Sequence, residues 1–191
     1  EGRTLNPLSQ DVLLQIRSMA EEITQREGCM LYDLEFSGHN NQRVLRVFID
    51  RADGNVSIDD CARISRGLNL LLDVRDIIDG GAYELEVSSP GLERHLKETW
   101  HYIKAIGQNV KLSAFEPLQW PKVEDKGEIR QGPTAVEGKL VSASEELVCL
   151  ENLRGKWEVP RSLIRRAQVK FIFGNQDLKQ RGKKLKKKKK R

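Results

Sequence analysis

The stretch Tyr83-Glu84-Leu85-Glu86-Val87-Ser88-Ser89-Pro90-Gly91-Leu92-Glu93-Arg94 runs from a strand into a stop within a dozen residues. Tyr83, Leu85 and Val87 alternate with Glu84 and Glu86, the period of a strand with one face buried. Ser88-Ser89-Pro90-Gly91 then ends the pattern. Pro90 suits the first position of a helix with Ser89 as its cap. This predicts a short helix carrying Leu96, Trp100 and Ile103. The corner also divides the chain, with long periodic segments before it and short alternating ones after.

Upstream, Val12, Ile16, Met19 and Ile23 recur at three- and four-residue steps between Ser9 and Glu27, predicting an amphipathic helix that ends near Gly28. Tyr32, Leu34 and Phe36 alternate with Asp33 and Glu35 as a first strand. A polar turn over Gly38 to Gln42 leads to a second strand, with Leu45, Val47 and Ile49 on one face and Val44, Arg46 and Phe48 on the other. Ser57 precedes Asp60 by three positions, a capping box with Asp in the usual Glu place. The helix it opens runs to about Asp73 and buries Ile58, Cys61, Ile64, Leu68, Leu71 and Leu72. The order α-β-β-α-β predicts an α+β domain with helices on one face of a three-stranded sheet.

Downstream, five short alternating runs follow Gly107: Val110/Leu112/Ala114, Val136/Gly138/Leu140, Leu147/Cys149, Trp157/Val159 and Val169/Phe171/Phe173. Their spacing predicts a small barrel of the SH3 or Sm kind. The expected divisions are an N-terminal domain over 1–93, a linker helix over 94–106, the barrel over 107–174 and a disordered basic tail over 175–191. Residues 116–134 form a long loop without a period. Trp120 within it either packs on its own domain or meets a partner.

Charge is unevenly spread. Residues 1–95 hold ten Lys and Arg against seventeen Asp and Glu, residues 96–174 thirteen against ten, and residues 175–191 ten against one. An acidic front and a basic tail suit a composite partner with basic protein and phosphate surfaces. No apolar run reaches the roughly 18 residues of a spanning helix, and no signal segment opens the chain, so the expected address is the cytoplasm. Cys29, Cys61 and Cys149 are far apart and odd in number, and read as small buried hydrophobes rather than disulfide partners or zinc ligands. Asp50, Asp53, Asp59 and Asp60 miss the spacing of a calcium loop, since Cys61 stands where its terminal Glu belongs. No metal or cofactor is expected. His39, His95 and His101 show no nucleophile–base constellation in sequence, and no catalysis is expected.

The quoted corner closely resembles the signature of the RimP family of ribosome maturation factors. Leu45-Arg46-Val47-Phe48-Ile49-Asp50, Val56-Ser57-Ile58-Asp59-Asp60-Cys61, Glu158-Val159-Pro160 and Ile164-Arg165-Arg166-Ala167 fit the same pattern. His95 stands where the family usually has Pro. The resemblance implies a non-enzymatic, monomeric factor that binds the free small (30S) ribosomal subunit during late assembly. It further implies contact with the basic small-subunit ribosomal protein number twelve and nearby rRNA. A stand-alone Sm-like RNA-binding regulator is the competing function.

The candidate contact residues are Ser88, Ser89, Pro90, Gly91 and Arg94 at the corner. In the tail they are Lys183, Lys184, Lys186, Lys187, Lys188, Lys189, Lys190 and Arg191, a run read either as solubilising or as adding non-specific RNA affinity. Ser88 to Gly91 is read either as a recognition loop or as a plain turn. Arg94 is read either as a phosphate or carboxylate contact or as an ion-pair partner of Glu86 or Glu93.

Overall fold

The computed structural model describes residues 8–39, 42–121 and 132–171. The chain divides into two compact units, Glu1–Gly91 and Leu92–Arg191.

The first unit contains α1 (Gln10–Arg26), β1 (Met30–His39), β2 (Gln42–Asp50), α2 (Ile58–Arg75) and β3 (Glu84–Ser88). Ser9 caps α1 by accepting from the Val12 amide, which satisfies one of the donors a helix start leaves orphaned. The three-stranded sheet has the order β1-β2-β3, with β1 antiparallel and β3 parallel to β2. A parallel neighbour cannot be reached by a tight turn, so α2 provides the crossover. Ile16, Ala20 and Ile23 of α1, Leu45, Val47 and Ile49 of β2, and Ile64, Leu68 and Leu72 of α2 build one core. Fully burying a side chain of this kind contributes about 1.5–3 kcal/mol. Gly67 lets the helices approach closely, since a Cβ there would lie 3.3 Å from Ile23.

The expected alternation in β1 is only partly kept. The register shifts between Leu31 and Asp33, so Tyr32 is an extra residue and Leu31, Tyr32 and Asp33 are all buried in succession. In α2, Ile58 is exposed rather than buried, because it stands at the first position, before the helix has turned its face to the sheet.

The second unit contains α3 (Thr99–Lys104), β4 (Asn109–Ala114), β5 (Ala135–Ala143), β6 (Leu147–Asn152), β7 (Gly155–Pro160), a 3-10 turn (Arg161–Leu163) and β8 (Ile164–Val169). The strands form one antiparallel sheet of order β7-β6-β5-β4-β8. No pairing joins β7 to β8 among the described residues, so the ladder itself is open. Trp157, Leu112, Leu140 and Leu150 are the large members of its core, with Leu96 and Tyr102 packed in from outside the sheet. Trp120 packs on its own unit, its ring 5.5 Å from that of Trp157 and beneath the Arg154 guanidinium.

Two expectations fail here. No helix starts at Pro90, because Gly91 takes a φ of +76°, and after a bend at Leu92 and Glu93 the chain runs past β8 without helix to Lys97. In that conformation the Leu96 amide donates to the Ala167 carbonyl and the Val169 amide to the Arg94 carbonyl, both at 2.9 Å. Helix forms only over Thr99–Lys104, where Leu96 is already in the core. The last described strand is Ile164–Val169, so it begins before the expected run and ends at Val169, short of Phe171, which is 43% exposed. Phe173 lies outside the described residues, as does the middle of the 116–134 loop. The ends of that loop are joined, the Leu118 amide donating to the Pro133 carbonyl.

Candidate functional site

Ser88 is the last residue of β3 and pairs with Phe48 of β2. Ser88 and Ser89 are exposed and Pro90 half-buried, so the corner offers hydroxyls to solvent and Ser89 caps no helix. Gly91 turns through a backbone region that other residues rarely adopt. Arg94 is half-buried with its Nε shut from solvent, and its carbonyl is committed to Val169. Glu86 meets Arg46 at 2.7 Å and Glu93 meets Lys170 at 3.1 Å. The Lys170 ammonium holds the Glu93 carboxyl below its usual value. The tail residues Lys183, Lys184, Lys186, Lys187, Lys188, Lys189, Lys190 and Arg191 lie outside the described residues.

In the first unit two groups of carboxylates stand apart. Asp60 is spent on structure: its Oδ2 accepts from the Ser57 amide at 2.9 Å, and its Oδ1 takes Arg51 at 2.9 Å and Arg63 at 2.7 Å. The Ser57 bonds, then Arg51, hold its carboxyl down to about 2. Arg63 also reaches Glu27 at the end of α1, so one guanidinium ties both helices together. The second set is exposed. Asp73, Asp76, Asp79 and Glu84 occupy the end of α2 and the segment entering β3, and form no ion pair among the described residues. Burial, with Asp73 nearby, pushes the Tyr83 hydroxyl up.

In the second unit the charge pattern is reversed. A groove of about 370 Å³ is lined by His95, Lys97, Arg161, Arg165 and Arg166 over a floor of Leu96, Tyr102, Ile164 and Ala167. An adjoining hollow of about 350 Å³ shares Arg165 and Arg166 and adds Lys111, Gln168 and Lys170. Among the described residues no carboxylate lines either one. Arg161 is fixed by stacking on Tyr102, its Cζ 4.2 Å from the ring centre, and by donating to the Lys97 carbonyl at 2.9 Å. Arg166 lies against the His95 ring, Nη2 2.9 Å from Nε2.

The sequence reading did not single out these groove residues. The signal was there in the density of cations, with Arg161, Arg165 and Arg166 within six positions. What it lacked was His95 and Lys97, brought alongside only because the chain before α3 is laced onto β8.

Among the described residues no group of His, Cys, Asp and Glu is arranged to hold a metal ion. No described helix is long and apolar enough to cross a membrane. Residues 19–93 match the family model described as the RimP N-terminal domain. The match ends at Glu93, inside the corner, and takes in all of β1, β2, α2 and β3.

Proposed function

We propose that this chain, which its domain at residues 19–93 places in the RimP family of ribosome maturation factors, binds the free small ribosomal subunit and assists its late assembly without catalysing a reaction. The family match is the observation that carries this reading. The proposed partners are a basic small-subunit ribosomal protein, number twelve, and the rRNA beside it. The proposed location is the cytoplasm.

The charge distribution supports two kinds of contact. Exposed Asp73, Asp76, Asp79 and Glu84 suit a basic protein, since opposite potentials speed encounter and set orientation. The cationic second unit and the lysine-rich tail suit RNA phosphates. The five-stranded sheet, with its 3-10 turn before the last strand, is proposed to be the SH3/Sm-like element of the resemblance. To aid assembly the factor must favour one state of the subunit over another, because a ligand shifts an equilibrium only by its differential affinity.

The test is gradient sedimentation of a lysate, with fractions probed for the chain. Co-migration with free small subunits but not complete ribosomes supports the reading. Migration with messages, or away from subunits, refutes it and favours a stand-alone RNA-binding regulator. That alternative draws on exposed Phe115 and Phe171 as stacking surfaces.

A further inference from the structure

We propose that Arg161, Arg165 and Arg166, with Lys97 and His95, form a groove that grips the sugar-phosphate backbone of RNA without reading its bases. The inference rests on the ribosomal reading only for where the RNA comes from. The groove itself stands on its geometry.

Consecutive residues of a regular strand point to opposite faces, so Arg165 and Arg166 should be separated by the sheet. They are not. Ser113 pairs with Arg166 while Ala114 pairs with Ile164, which leaves Arg165 as the extra residue of a bulge. A bulge re-aims side chains, and here both arginines are exposed and line the same two hollows. The bulge thus turns a strand edge into a double cation.

Among the described residues that pair meets no carboxylate. Arg17, Arg26, Arg46, Arg51 and Arg63 of the first unit all meet carboxylates. Arg161, Arg165 and Arg166 form no ion pair among the described residues. Holding three guanidiniums together without a counter-charge is unfavourable, and an anion in the groove relieves it. Arginine suits phosphate because its planar fork makes paired hydrogen bonds.

Two features favour a nucleic-acid backbone over an isolated small anion. The cations continue past the arginine pair through Lys111 and Lys170, making a track rather than a pit. The groove has no Phe or Trp in its lining, its one Tyr, Tyr102, is buried beneath Arg161, and the half-buried His95 ring lies against Arg166. Base stacking is therefore not part of its grip, and sequence preference should be weak.

The experiment uses the full chain and its double variant Arg165→Gln/Arg166→Gln, titrated against a 20-nucleotide oligouridine and a poly-glutamate peptide over a range of salt. Each lost phosphate contact flattens the plot of log affinity against log salt by about 0.7 for a single strand. The double variant is expected to flatten it by about 1.4 and to weaken RNA binding several-fold, with an unchanged melting temperature. Oligoadenosine and oligouridine should bind within a few-fold of each other. An unchanged slope with RNA overturns the proposal, as does loss confined to the poly-glutamate titration, which would make the groove a site for acidic protein. A chain whose groove passes this test yet never sediments with small subunits keeps the groove and loses the ribosomal role.

Discussion

Replacing Ser57 by Ala removes one of the two reciprocal bonds that start α2, the Asp60 amide to Ser57 Oγ at 3.1 Å, and leaves the Ser57 amide to Asp60 Oδ2 at 2.9 Å. Loss of a cap side chain costs about 0.5–2 kcal/mol, typically about 1. For a unit the size of Glu1–Gly91 that shifts the melting midpoint down by about 4–8 °C per kcal/mol. The two units can be followed separately. Trp100, Trp120 and Trp157 are the three tryptophans and all lie in the second unit, whereas the long helices α1 and α2 lie in the first. Far-UV circular dichroism at the helix band therefore weighs the first unit, and tryptophan fluorescence reports the second. The Ser57→Ala midpoint should fall in the helix signal and stay in the fluorescence signal. Ser57→Gly should cost only a few tenths of a kcal/mol, because glycine leaves the helix start open to water. A Ser57→Gly variant weaker than Ser57→Ala, or a helix signal that does not move for either, refutes the capping argument. Equal shifts in both signals would show the units melting as one.

Asp60, held at about 2 against an ordinary 3.8, contributes stability that is present above about pH 4 and lost as pH falls through 2. Acid titration followed by circular dichroism should show that loss, and Asp60→Asn should flatten it while lowering the midpoint at neutral pH. Leu45→Ala, at a position with no solvent exposure, should cost about 2–5 kcal/mol by denaturant unfolding, again in the helix signal. Gly138→Ala places a Cβ 2.6 Å from the Glu151 carbonyl oxygen across the β5–β6 ladder, so the fluorescence midpoint should drop by the equivalent of about 1–3 kcal/mol. Removing residues 183–191 should flatten the salt dependence of RNA binding, and a slope that survives truncation assigns the tail another role.

The helices and the order of the first unit were legible because their signals are local. Ser57 and Asp60 lie three residues apart, and Ile64, Leu68 and Leu72 follow the helix repeat. Asp33 was expected on the outer face of β1 and is buried, because a bulge depends on the partner strand, which the local pattern does not contain. The same blindness explains the last strand. Val169, Phe171 and Phe173 form a cleaner period-two run than Ile164-Arg165-Arg166-Ala167, but Arg165 is itself a bulge residue, so the true strand hides its period. Pro90 offered a good helix start on local grounds and lost to long-range hydrogen bonds from residues 94 and 96 to β8. The candidate contact residues at the corner were readable as a turn. The groove was not, because it is assembled from residues some seventy positions apart that only the folded sheet brings together.

The lacing of Arg94 and Leu96 onto β8 has a bearing on how the second unit can be cut out. It occupies the outer amides and carbonyls at residues 167 and 169, while the outer side of β7 carries no ladder among the described residues. A sheet with one bare margin can pair once and stop, whereas one bare at both margins can add neighbours end to end without limit. A fragment beginning at Leu92 would keep its margin covered and stay dispersed. One beginning at Thr99 would expose both sides and, at high concentration, grow into aggregates.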